Sequence, residues 1–136
     1  MRVFLDANVL FSAAKTDGAV RQLLVRQAEA GHEFRVDAYV VAEARRNLLA
    51  KGSAAISALD GLLQWIPVHP AQVHAESAAT LSWLPEKDRP VLAAAMRLRC
   101  DLLVTGDRTH FGAGYGQTFG GVTIHSPRSL AEALLG

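Results

Sequence analysis

Short runs of apolar residues alternate along this chain with longer stretches that repeat with the period of an α-helix. Residues 3–5 and 102–105 are short runs, whereas residues 18–30 and 91–99 are long amphipathic or apolar stretches. This alternation is typical of β-α-β units, in which helices cover a sheet of parallel strands. The sequence therefore predicts an α/β fold built around a parallel sheet.

The same pattern predicts the remaining elements. Strands are expected at residues 3–5, 34–36, 65–68, 102–105 and 122–124, the last of them at an edge of the sheet. Helices are expected at residues 18–30, 37–49, 53–63, 70–83, 91–99 and 127–135, with Asp37 and Ser53 as caps. Residues 106–121 are rich in glycine and are predicted to form one long loop, a kind of segment that often carries function.

Length and composition favour a single folded domain over residues 1–136. Half of the residues are hydrophobic and a fifth are charged, which excludes a disordered tail. The net charge is only +1, so any nucleic-acid site has to be local. Cys100 is the only cysteine, which excludes an internal disulfide. The apolar runs are too short for a membrane span and the first residues do not resemble a signal peptide, so we expect a cytoplasmic protein without a membrane partner.

Four acidic residues fall where the fold would bring them to one edge of the sheet. Asp6 and Asp107 follow predicted strands, at the carboxyl ends where open α/β sheets bind ligands. Asp88 precedes a helix that leads to the second of these strands, and it reaches the same edge if that helix crosses over from an earlier strand. Glu43 lies among apolar residues in its helix, where a carboxylate without a partner is costly.

Carboxylates gathered in one pocket repel one another, so they are stable as anions only beside a cation. Mg²⁺ and Mn²⁺ prefer oxygen ligands and leave room for a substrate phosphate. The pattern therefore favours a metal-dependent phosphodiesterase. Each acid also has a purely structural interpretation: Asp6 and Asp88 as helix caps, Asp107 as a turn former and Glu43 as a solvated residue.

Four motifs taken in order resemble the PIN domain family over nearly the whole chain. They are VFLDANVL at residues 3–10, Glu43 within an apolar helix, DRPVLAAA at residues 88–95 and LVTGD at residues 103–107. The resemblance implies a three-layer α/β/α ribonuclease with a central, mostly parallel sheet. Many small bacterial and archaeal members are toxins of the VapBC type, so it also implies a toxin role, a cognate antitoxin as partner and a homodimer.

Carried over residue by residue, the resemblance implies that Asp6, Glu43, Asp88 and Asp107 are catalytic and bind one or two Mg²⁺ or Mn²⁺ ions. Asn8 and Thr105 stand where family members place polar residues that orient an acid or a metal-bound water. The implied reaction is hydrolysis of an RNA phosphodiester by a water that the metal activates. The chain departs from the family at Asp37, where Ser or Thr is common, but Asp caps a helix equally well.

Basic residues close to these acids are the candidates for RNA contact. They are Arg45, Arg46 and Lys51 on the Glu43 helix, and Arg108 and His110 after Asp107. Arginines clustered on a helix are also commonly a solvated face, and a histidine in a loop is more often plain surface than a proton donor. The aromatic residues fit core packing better than base stacking: Phe4, Phe34, Tyr39, Trp65 and Trp83.

Two other functions stay open from the sequence alone. Haloacid-dehalogenase-like phosphatases also place an Asp after the first strand, but they use a second Asp two residues later, where this chain has Asn8. A catalytically silent PIN-like module would bind a partner through an exposed helix face. The presence of all four acids argues against such a module.

Overall fold

A computed structural model of the chain describes residues 1–72 and 79–135. Within these residues six strands form one sheet: β1 Arg2–Leu5, β2 Glu33–Asp37, β3 Val68–His69, β4 Leu102–Val104, β5 Thr118–Phe119 and β6 Val122–His125. The α-helices are α1 Ala7–Lys15, α2 Ala19–Glu29, α3 Ala38–Leu48, α4 Ser53–Leu62, α5 Arg89–Arg97, α6 Arg108–Phe111 and α7 Pro127–Leu135. Short 3-10 helices span Leu49–Lys51, Ala79–Leu81, Glu86–Asp88 and Gly112–Gly114. None of the described helices is long and apolar enough to cross a membrane.

The order of the strands is β3-β2-β1-β4-β6-β5, and only β5 runs antiparallel to its neighbour. From β1 the chain adds β2 and β3 on one side, and it then returns to add β4 and β6 on the other. Right-handed crossovers that move in opposite directions place helices on opposite faces, so the expected three-layer α/β/α fold is confirmed. The reversal lies between β1 and β4, which is where ligands bind in such sheets.

Strands β1 and β4 form the buried centre of the sheet. Val3, Phe4 and Leu5 of β1 are all fully buried, as are Leu103 and Val104 of β4. Because helices cover both faces, the two strands are continuous apolar runs without polar alternation. This explains why the sequence predicts both of them.

Five of the predicted helices agree with the structure within about two residues. They are the helices at residues 18–30, 37–49, 53–63, 91–99 and 127–135. Asp37 caps α3 as expected, because its side chain accepts a hydrogen bond from the N–H of Val40 (3.1 Å). Ser53 does not cap α4, since the helix begins at Ser53 itself and Gly52 precedes it without a side-chain cap.

Helix α1 is absent from the predicted elements. Its buried face has helical spacing: Ala7, Leu10 and Ala14 all point into the core. The face is made largely of alanine, whose small side chain gives a weak apolar signal. The helix begins at Asp6, whose side chain accepts a hydrogen bond from the next backbone N–H.

The strand predicted at residues 65–68 is mostly wrong. The N–H groups of Trp65 and Ile66 both bond to the carbonyl of Leu62, at 3.2 and 3.0 Å, so the chain turns there after α4. The strand begins only at Val68. Of the helix predicted at residues 70–83, the middle part at residues 73–78 lies outside the described residues. Residues 70–72 are not helical, and Ala79–Leu81 forms a 3-10 helix.

The long loop predicted at residues 106–121 is also wrong, because the segment contains α6, a 3-10 helix and β5. Phe111 is fully buried and fixes α6 against the core, where its ring meets the edge of Trp83 with centroids 6.3 Å apart. Strand β5 pairs with β6, so β6 is not at the edge of the sheet as predicted. The glycine content conceals this order, since glycine weakens both helix and strand signals.

Candidate active site

Asp6 ends β1 at the centre of the sheet. Its Oδ1 accepts a hydrogen bond from the N–H of Ala7 (2.7 Å), and its Oδ2 accepts one from the hydroxyl of Thr105 (2.8 Å). The residue is 5% exposed. Burial raises the pKa of Asp6 to about 6; the bonds from Thr105 and Ala7 oppose this shift, and the nearby carboxylates of Glu43 and Asp88 add to it. The expected cap is therefore present, but it uses only Oδ1, and Oδ2 is bound to Thr105 and Asn8 close to the charges of Glu43 and Asp88.

Asn8 and Thr105 connect Asp6 to the end of β4. The side-chain amide of Asn8 donates to Asp6 Oδ2 and to Thr105 Oγ1, both at 3.2 Å, and its Oδ1 accepts from the N–H of Gly106 (2.7 Å). Thr105 Oγ1 also accepts from the N–H of Asp107 (3.2 Å). A Cβ at Gly106 would lie 3.3 Å from Asn8 Oδ1, so any larger residue at this position would crowd the side chain of Asn8. The two polar residues thus fix the relative positions of Asp6 and Asp107.

Asp88 lies at the start of α5 but does not cap it, because its side chain makes no cap hydrogen bond. The structural interpretation of this acid is therefore wrong. Its Oδ2 lies 2.9 Å from Nδ1 of His110. Burial raises the pKa of Asp88; the nearby His110 opposes that shift and Asp107 adds to it.

Asp107 is the cap of α6, since its Oδ1 accepts from the N–H of His110 (3.1 Å). Its Oδ2 lies 2.8 Å from Nδ1 of the same histidine. The imidazole of His110 therefore stands between Asp88 and Asp107, which differs from the surface loop position expected for it. Residues three apart on a helix face the same side, so a helix starting at Asp107 is the signal that places His110 beside these acids.

Glu43 completes the group from α3, where it is half-buried. It lines a cavity of about 270 Å³ together with the other three acids; the remaining lining residues are Ala7, Asn8, Phe11, Asn47 and Lys87. A larger cavity of about 440 Å³ lies between α2 and α7, but it is lined by apolar, amide and arginine side chains and by no acid. The smaller cavity is therefore the one that carries reactive groups.

Tyr39 lies beside Lys87, which lines this cavity, although the sequence predicts a core position for Tyr39. It is 38% exposed, and its hydroxyl donates to the carbonyl of Lys87 (2.7 Å). Burial raises the pKa of Tyr39, and the carboxylates of Glu43, Asp88 and Asp6 raise it further. Trp65 is likewise 41% exposed, whereas Phe4 and Phe34 are buried as expected.

The three arginines expected to contact RNA lie outside this group of acids. Arg45 pairs with Asp60 (2.9 Å), and Arg46 and Arg108 are exposed. Over the residues that the structure describes, none of the three lines the cavity. Their positions at the surface are consistent with both the RNA-contact and the solvated-face interpretations.

The donor set fits a divalent cation. Asp88, Asp107 and His110 each offer one ligand atom, and these atoms all lie within 4.8 Å of one another. In the part of the chain that the structure describes, Asp88 Oδ2 and His110 Nδ1 are buried without a hydrogen-bond partner. An unsatisfied buried polar atom costs about 1–3 kcal/mol, and a cation would satisfy both of these. Carboxylate oxygens are the ligands that Mg²⁺ and Mn²⁺ prefer.

We expect the metal-free protein to lose stability as the pH rises through the titration range of Asp6. The pKa of Asp6 is about 6 in the fold and 3.8 ordinarily, so folding favours the protonated acid. Its stabilising contribution is present below about pH 4 and lost as the pH rises to about 6, with an upper limit of about 3 kcal/mol. Urea unfolding in EDTA across this range measures the loss.

Asp6→Asn is the control for this experiment, because an amide does not titrate. The free energy of unfolding of the parent minus that of the variant should fall with pH over the stated range. A difference that stays constant would contradict the assignment of the shift to Asp6. Added Mn²⁺ should raise the stability of the parent at neutral pH, because a ligand that binds only the folded state stabilises it.

Comparison with known proteins agrees with this architecture. The sequence model of the PIN domain family matches residues 2–109. Similar solved structures include VapBC2 from Rickettsia felis bound to a DNA fragment from its promoter (12% identity, 93% of this chain and 98% of that chain, TM-score 0.65). Another is VapBC-1 from nontypeable Haemophilus influenzae (12% identity, 94% of this chain and 99% of that chain, TM-score 0.59). A third is VapC20 from Mycobacterium tuberculosis, described as a sarcin-ricin loop cleaving toxin (15% identity, 86% of this chain and 98% of that chain, TM-score 0.54). A search of curated proteins gave no match.

Proposed function

This chain belongs to the PIN domain family, and we propose that it is a metal-dependent endoribonuclease that hydrolyses RNA phosphodiester bonds. We further propose that it acts in the cytoplasm as the toxin of a toxin-antitoxin pair. Its partners would be an RNA substrate, a cognate antitoxin and a second copy of the chain. The similarity to VapBC structures supports the antitoxin as a partner, and residues 1–136 would act as one nuclease domain.

The observation that carries this proposal is the convergence of four carboxylates on one cavity at the reversal of the sheet. Asp6, Glu43, Asp88 and Asp107 come from four different parts of the chain, and all of them line it. Of these four, only Asp6 and Asp107 cap a helix, and in each of them only Oδ1 accepts the capping hydrogen bond. Four acids whose convergence on one cavity is not explained by helix capping favour a catalytic metal site.

We assign the four carboxylates as ligands of Mg²⁺ or Mn²⁺. When bound, the ion would lower the pKa of a water and offset the charge that develops on the phosphate. The chain itself supplies orientation: Thr105 and Asn8 donate to Oδ2 of Asp6 and hold its carboxylate in one rotamer. Lys87 at the same cavity is suited to attract an anionic RNA backbone.

The phosphatase alternative is disfavoured by Asn8. The side-chain amide of Asn8 donates to Asp6 and to Thr105, so it is held as a hydrogen-bond donor to the first acid. An amide N–H is too weakly acidic to be transferred as the proton of the second acid of such a phosphatase would be. A catalytically silent module is the remaining alternative, and it is tested by activity.

The test is cleavage of a mixed-sequence single-stranded RNA by the purified protein in Mg²⁺, in Mn²⁺ and in EDTA. We expect cleavage with either metal and none in EDTA, because the proposed reaction depends on a water that the metal activates. Addition of excess Mn²⁺ after EDTA should restore the activity. Cleavage that persists in EDTA would contradict the proposal. So would the absence of cleavage in both metals against this substrate and against total cellular RNA, which would favour the silent module.

A further inference from the structure

His110 occupies the space between two of the proposed ligands. Its Nδ1 lies 2.9 Å from Asp88 Oδ2 and 2.8 Å from Asp107 Oδ2. Two features hold it there: Asp107 caps α6, and the fully buried ring of Phe111 follows the histidine directly. The histidine is thus fixed by the backbone of a short helix, and a mobile loop does not set its position.

Neither of these contacts has the geometry of a hydrogen bond. Nδ1 of His110 and Oδ2 of Asp88 are both buried, and neither has a hydrogen-bond partner within the described residues. Their separation is nonetheless the short distance that a hydrogen bond would have. Asp88, Asp107 and His110 each offer one ligand atom, and these atoms all lie within 4.8 Å of one another, which is close enough for them to share one ion.

We propose that His110 is a nitrogen ligand of the metal ion held by Asp88 and Asp107, and that it shifts the preference of the site from Mg²⁺ toward Mn²⁺. This inference rests on the metal site of the proposed function. Adjacent ligands of an octahedral ion at 2.0–2.1 Å stand about 3 Å apart, which agrees with the two contacts of His110.

The consequence for metal choice follows from the chemistry of the ligands. Mg²⁺ takes oxygen ligands almost exclusively and gives up its waters reluctantly. Mn²⁺ lies among the first-row transition ions, which accept imidazole nitrogen more readily. A site of carboxylates alone would bind the two ions through the same oxygens, whereas an added imidazole stabilises the Mn²⁺ form selectively.

The test measures binding of Mn²⁺ alone to the purified protein, without RNA, from the loss of the electron paramagnetic resonance signal of the free ion. Mg²⁺ affinity is measured by competition. We expect His110→Ala to weaken Mn²⁺ binding about tenfold, by analogy with other losses around metal sites, and to weaken Mg²⁺ binding less than about twofold. His32→Ala is the matched control, since His32 lies beside the N-terminal amine (3.1 Å) and away from the acids.

Pulsed paramagnetic resonance on the Mn²⁺-loaded protein provides a direct second readout. A coordinated imidazole gives a nitrogen coupling, which we expect in the parent and in His32→Ala and not in His110→Ala. The measurement on the parent decides the question even if His110→Ala does not fold, since a parent without nitrogen coupling overturns the inference. Circular dichroism on each variant shows whether it is folded.

The remaining outcomes separate this inference from the proposed function. Unchanged Mn²⁺ binding in His110→Ala overturns the inference, and so does tighter binding, which would mean that the imidazole stands in the place of the ion. Equal weakening for both ions without nitrogen coupling also overturns it. Cleavage of RNA in Mg²⁺ together with any of these results leaves the function standing. Nitrogen coupling in a protein that does not cleave RNA would contradict the proposed ribonuclease function and would still support His110 as a metal ligand.

Discussion

Asp6→Asn and Asp88→Asn should each reduce metal-dependent RNA cleavage by about a thousandfold, the effect of losing about 4 kcal/mol of transition-state stabilisation. Asp6 and Asp88 both line the acidic cavity, so each substitution removes one of the carboxylates proposed to hold the ion. Initial rates on a single-stranded RNA at saturating Mn²⁺ measure the change. Saturation separates a loss of chemistry from a loss of metal affinity.

Asp17→Asn is the matched control for these variants. Asp17 is exposed between α1 and α2, and its substitution changes the net charge by the same amount. We expect it to cleave at the rate of the parent. Asp6→Asn and Asp88→Asn variants that are folded by circular dichroism and still cleave at the parent's rate would exclude the assigned metal site.

Phe111→Ala should reduce the free energy of unfolding by about 3–5 kcal/mol, which is the usual effect of removing a buried phenylalanine ring. Phe111 is fully buried, and its ring forms a T-shaped pair with Trp83. The variant should also bind Mn²⁺ more weakly, because α6 carries Asp107 at its cap and His110 within it. Urea unfolding and the Mn²⁺ titration measure the two effects.

Leu24→Ala separates the two effects of Phe111→Ala. Leu24 is fully buried on α2, so its truncation should reduce stability by about 2–5 kcal/mol. It lies outside α6 and outside the lining of the acidic cavity, so the Mn²⁺ affinity of the folded variant should equal that of the parent. Equal losses of Mn²⁺ affinity in the two variants would mean that α6 has no particular part in holding the site.

The central strands and the acids that follow them could be predicted from the sequence. Phe4 and Leu103 are buried on a sheet that is covered on both faces, so their strands are unbroken apolar runs. Because neighbouring parallel strands end at the same edge, the positions of Asp6 and Asp107 next to each other follow from the strand assignment alone.

The position of His110 and the contact that Asp88 makes with it could not be predicted from the sequence. Placing His110 requires knowing that residues 108–111 form a helix, and four residues among glycines carry almost no periodic signal. Asp88 precedes Arg89 and Pro90, a context that favours a cap, and only the packing of α5 against its neighbours turns the side chain toward His110. Both errors arise where tertiary contacts override local preference.

The hydrogen bond between Thr105 and Asp6 joins residues that are 99 positions apart in the chain. During synthesis β1 precedes β4 by about a hundred residues, and the two strands cannot pair until Leu102–Val104 has left the ribosome. Folding must therefore close a very long loop before the acids meet, which makes assembly of the cavity a late event. A nascent or prematurely terminated chain that lacks β4 also lacks Thr105 and Asp107, so Asp6 is without its hydrogen-bond partner Thr105 and the cavity is without one of its four acids. The acidic cavity can therefore form only after the segment that carries β4 and Asp107 has been synthesised.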